Sequence, residues 1–127
     1  MQRLITTLII TCTLFFTSAS WAGSVSRAQF TSDIVDREPV DRIDTLTTDQ
    51  REIKYFTELS DLQGHSVTHQ WVYNDEIMFE KTFDVGSSRW RVWTSKTLQP
   101  GWTGVWTVNT LDEDRSKLLT QTFTYQD

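Results

Sequence analysis

Cysteine is almost absent from the chain: Cys12 stands alone among 127 residues, inside an apolar run near the N-terminus. A disulfide scaffold, a thiol nucleophile in the folded domain and a Cys-ligated zinc centre are thereby excluded together. A lipobox would place a cysteine just after the apolar run, behind a small residue, whereas Thr11-Cys12 falls in its middle, so lipid anchoring is not expected. Basic residues are also scarce, with 12 Lys plus Arg against 17 Asp plus Glu and a net charge of −5. General nucleic-acid binding needs basic surface that releases counterions from phosphates, and this balance argues against it. No window carries an apolar stripe at helical spacing. There is no Gly-rich phosphate loop, no nucleophile elbow at Gly86-Ser87-Ser88, and no D-x-D-x-D-G calcium loop among the acids of Asp33 to Asp49. No metal site and no cofactor are expected.

The first 22 residues read as a cleavable signal peptide. Arg3 supplies the positive start, Leu4 to Phe16 the apolar stretch, and Ser20-Trp21-Ala22 a small-residue end that places the cut before Gly23. An uncleaved anchor is the alternative, but a spanning helix needs about 20 apolar residues. Thr6, Thr7, Thr11 and Thr13 interrupt this shorter run. No stable membrane anchor is expected after cleavage, and the domain of residues 23–127, without Arg3, carries a net charge of −6. Its expected location is the periplasm or the exterior.

Alternation with a period of two predicts an all-β domain. Strands are expected at Ser26 to Ile34, Ile53 to Leu59, Val67 to Tyr73, Ile77 to Val85, Arg89 to Leu98, Val105 to Leu111 and Leu118 to Tyr125. Asn74-Asp75 is a hairpin turn, and Asp36 to Gln50 a long, solvated acidic loop. In Ile77 to Val85, Ile77, Phe79, Phe83 and Val85 share one face, with Lys81 a misfit. About seven short strands at turn spacings suggest an antiparallel β-sandwich, immunoglobulin-like or similar, with a small β-barrel as the alternative.

Tyr55-Phe56-Thr57-Glu58-Leu59, Gly64, His69-x-Trp71, Trp90-Arg91-Val92-Trp93-Thr94-Ser95-Lys96 and Gly104-x-Trp106-x-Val108, taken in order, resemble the bacterial family called domain of unknown function 2914. The resemblance runs from about Val25 to Tyr125. It implies an extracytoplasmic β domain and no established activity.

Two places stand out as candidate sites. In the strand around Trp90, one parity holds Arg91, Trp93 and Ser95. With Trp90 turned to the core, these project outwards as an aromatic plane beside a forked cation, able to stack on a sugar ring or grip a carboxylate or phosphate. Arg91 lying over Trp93 as a cation–π pair would explain the same residues without a ligand. Trp102, in the loop Pro100 to Gly104, can close over a ligand or fold back to plug the sandwich. His69 is an alternative site as a catalytic base, although its parity with Val67 and Trp71 suits a buried, hydrogen-bonded histidine. His65 and His69 lie about 13 Å apart along a strand, too far for one metal ion. Trp71 and Trp106 read as core. Three functions remain open: a non-catalytic envelope binding module for a glycan or protein, a small periplasmic hydrolase using His69, and a structural assembly subunit using a strand edge.

Overall fold

The computed structural model describes residues 23–127; the expected signal peptide, residues 1–22, lies outside the described residues. The domain is all-β and built as a sandwich. Its long strands are β1 (Ser24–Thr31), β5 (Glu52–Ser60), β6 (Ser66–Tyr73), β7 (Glu76–Asp84), β8 (Arg89–Thr97), β9 (Gly104–Leu111) and β10 (Lys117–Gln126). These are the seven expected strands, displaced at their ends by a residue or a few.

The expected loop Asp36 to Gln50 is more structured than its composition suggests. It contains β3 (Glu38–Pro39) and β4 (Thr45–Thr47), and it follows β2 (Ile34–Val35). Asp36 (φ 52°) and Arg37 (φ 63°) join β2 to β3 in a two-residue turn with both residues left-handed. Asn74 (φ 50°) and Asp75 (φ 60°) do the same for β6 and β7, where the turn was expected. That geometry matches the twist of paired strands.

One sheet has the order β1-β5-β8 and the other β4-β10-β9-β6-β7, with every pairing antiparallel except β4 on β10. The two sheets face each other and do not close into a barrel, so β8 and β7 are free edges. The core follows from alternation: Ile53 and Tyr55 of β5 and Ala28 and Phe30 of β1 meet Trp71, Trp106, Val108, Phe123 and Tyr125 of the larger sheet, while Leu59 of β5 packs with Val67, Val85 and Val92 in a second cluster. Trp71 and Trp106 are fully buried, as their parity predicts. Fully burying side chains of this size contributes about 2 to 3 kcal/mol each.

The alternation fails in β7, for an identifiable reason. A register shift opposite Trp71 and Val72 pairs Trp71 with Phe79 but Val72 with Ile77, leaving Met78 as an extra residue. One inserted residue moves the preceding side chains to the other face. Ile77 is therefore 55% exposed, instead of sharing a face with Phe79 and Phe83. Lys81 keeps the inward parity, opposite His69, with its ammonium 5.3 Å from the centre of the Phe83 ring.

Candidate functional site

The β2–β3 hairpin lies over the outer face of the three-stranded sheet. Phe56 has the outward parity of its neighbours Gln29 and Trp93, yet it is fully buried, with the Arg27 guanidinium 5.2 Å from its ring centre. Glu38 of the hairpin accepts from Arg27 at 2.8 Å and from Arg91 at 2.7 Å. Glu58 of β5 accepts from Arg27 at 2.9 Å and also from Arg89. The result is a lattice of three guanidiniums on two carboxylates.

Charge-assisted bonds of this kind favour the ionised forms. The bond from Arg27, joined by that from Arg89, outweighs burial and holds the Glu58 carboxyl down at about 2. Arg27, then Arg91, lowers Glu38 below the usual carboxylate range. Arg27 in turn is raised, first by Glu38 and then by Glu58. Asp41 works on the same segment: burial pushes it up, but the Ser32 hydroxyl and N–H and the Thr31 hydroxyl donate to it and hold it low. The expected solvated acidic loop is thus tied to the sheet by its carboxylates.

At the lateral opening of the sandwich, between the free edges β7 and β8, lies a cleft of about 500 Å³. Arg37, Lys81, Arg89 and Arg91 line it with the single acid Asp84, beside the rings of Phe83, Trp90 and Trp93. Gly86 allows Trp90 to lie down at one wall, since a Cβ at that glycine would fall 2.9 Å from the indole. Arg89 and Arg91 are ion-paired with Glu38 and Glu58, which Arg27 shares, whereas Arg37 and Lys81 have no ion pair among the described residues.

Of the sequence candidates, Arg91 and Trp93 come together at the cleft. Arg91 does not lie over Trp93; its guanidinium goes to Glu38. Ser95 is exposed two residues further along the same edge. Trp102 is elsewhere. It packs on the main core cluster with its ring centre 5.8 Å from that of Trp106, and Lys96 sits 5.4 Å above it. Its own C=O accepts from the Trp106 indole, and Tyr73 stacks on Trp106 at 4.5 Å. Trp102 therefore plugs one end of the sandwich.

His69 is fully buried between the sheets. Its Nε2 lies 2.8 Å from the Thr57 hydroxyl and its Nδ1 3.0 Å from that of Thr94, which also accepts from the Trp71 indole at 2.9 Å. Hydroxyls both donate and accept, so the neutral ring is satisfied in either tautomer. Desolvation lowers its pKa from 6.5 to about 3. It faces Tyr55 and Phe83 rather than a carboxylate. His65 lies outside the core and meets Glu113 at 3.0 Å.

Arg37 and Lys81 were missed in the sequence. The signal for Lys81 was its place on an inward parity; the signal for Arg37 was weak, because arginine is not a turn former.

Residues 64–125, from the turn before β6 to the end of β10, match the model of the family described as Protein of unknown function (DUF2914). Over this stretch, a little under half of the sequence, the chain is similar to the DUF2914 family. The match takes in Lys81 and the Trp90–Trp93 segment but not β1 to β5 or the Arg37 hairpin, so it is shorter than the likeness read from the motifs. Comparison with curated proteins finds no match. The DUF2914 match takes in β6 to β10, and it attaches no chemistry to the cleft.

Proposed function

We propose that the protein is an exported, non-catalytic binding module of the bacterial cell envelope, and that the cleft between β7 and β8 takes an anionic ligand with a planar or apolar part. The observation that carries this is the composition of the cleft. Four cations and three aromatic rings gather there on a chain of net charge −5. A guanidinium or ammonium recognises carboxylate or phosphate, and indole and phenyl faces stack on flat groups. Concave sites with a few convergent polar groups on apolar walls are the usual form of a binding site. Export is supported by the N-terminal pattern, and recovery of the mature chain beginning at Gly23 in the periplasmic fraction tests it; a chain retaining Met1 there removes that part.

The cleft is tested by titrating isotopically labelled protein with an acidic peptide, a soluble muropeptide and inorganic phosphate. Resonances of Lys81, Arg37 and the Trp93 indole are expected to move with at least one probe. The double change Arg37→Ala with Lys81→Ala should weaken that probe at least about tenfold. If all three probes leave the cleft unmoved, or the double variant binds as tightly as wild type, the cleft is not a binding site.

A further inference from the structure

β8 differs from the other free edges of the sandwich. β1 is bulged between Val25 and Arg27, and the following segment closes on it, with Ile43 N–H donating to Phe30 C=O. β4 is three residues long. β7 is bulged and turns Lys81 inward. Shortness, bulges and inward charge keep edge strands from pairing with other chains. β8 runs nine residues in unbroken register with β5, neither short nor bulged, and its one charge on the inward parity, Lys96, lies near the far end with its ammonium over the Trp102 ring.

Two bonds at the ends of the β5–β8 ladder reveal which β8 backbone groups are unused. Leu98 N–H donates to Arg51 C=O, and Asp61 N–H donates to Ser88 C=O. In an antiparallel pair, bonded and non-bonded positions alternate, so even-numbered residues of β8 bond β5 and odd-numbered ones point away. The Arg89 C=O is taken by the Ser87 hydroxyl. The N–H and C=O groups of Arg91, Trp93 and Ser95 have no partner among the described residues.

We infer that β8 accepts an extended acidic peptide as an added strand, its backbone bonding Arg91, Trp93 and Ser95 and its carboxylates reaching Arg37 and Lys81. This rests on the cleft being a binding site, and names its occupant. A row of alternating donors and acceptors is matched by another peptide backbone, whose side chains point alternately to two sides. One set would pass over the outer face towards Arg37, the other towards Lys81. Carboxylates suit both, because these are the two cleft cations that no ion pair neutralises among the described residues.

The test uses a peptide of about nine residues, matched to the strand, alternating glutamate and valine and capped at both ends. Two versions carry N-methyl groups on its odd or on its even residues. The unmodified peptide is expected to bind and to protect the amides of Arg91, Trp93 and Ser95 from hydrogen exchange. Methylation in one alternation should weaken binding at least about tenfold, and in the other leave it within about twofold. If both methylated forms bind as well as the parent, strand addition is overturned while the cleft stands. If the peptide fails but a muropeptide moves the cleft resonances, the peptide occupant is overturned alone. If no probe reaches the cleft, both fall.

Discussion

Acidification from about pH 7.5 to about pH 5 should remove a definite part of the stability through His69. Folding places this ring between Thr57 and Thr94 in the dry interior, where burial lowers its pKa from 6.5 to about 3. The unfolded chain takes up the proton near 6.5 and the folded chain does not, so the unfolded state binds more protons throughout the interval. The contribution is therefore fully present above about 6.5 and is lost as pH falls towards 3. At pH 5 the unfolded ring is protonated and the folded ring is not, a difference of about 1.5 units or about 2 kcal/mol. The carboxylates held low by their donors, Glu58 among them at about 2, act in the same direction but below this window. Urea unfolding followed by tryptophan fluorescence measures the change. With a slope near the lower end for small domains, the midpoint should fall by roughly 1 to 2 M. A His65→Gln background leaves His69 as the only imidazole, and its ring protons should not titrate above pH 5 in the folded state. A loss under about 0.5 kcal/mol, or a folded His69 that titrates above 5, would refute the burial argument.

Thr94→Val should cost about 2 to 3 kcal/mol, because it strips a partner from both the Trp71 indole and the His69 ring in a sealed interior; denaturation showing less than about 1 kcal/mol would mean the two groups find other partners. Arg37→Gly should leave stability unchanged or raise it by up to about 1 kcal/mol, since Arg37 has a left-handed backbone (φ 63°) that glycine adopts freely. The same change should weaken any anionic ligand of the cleft, and unchanged affinity would remove Arg37 from the site. Trp102→Ala should lower stability by roughly 2 kcal/mol by uncovering Trp106 and the core end. Ligand binding at the cleft should persist in that variant, and its loss would show that the loop reaches the ligand.

The long strands and their faces follow from the sequence alone, because each apolar parity records a local fact: one side of an extended segment sheds water. That is why Trp71 and Trp106 read as core, and why Asn74-Asp75, whose residue types tolerate left-handed backbone, marks its hairpin. Local pattern was too short for β2, β3 and β4, each of two or three residues. The bulge at Met78 defeated it because one inserted residue reverses parity without changing composition. Arg91 and Trp93 were recognisable as a surface pair, but their setting was not. Glu38 reaches Arg91 across 53 positions of sequence, and Lys81 and Arg37 arrive from two further elements. Only tertiary structure decided that β7 and β8 are the edges, because strand order depends on pairings between distant segments that no local window contains. The inward lysine was visible as a misfit; that it stands at an open edge, facing three arginines across a cleft, required the assembled sheets.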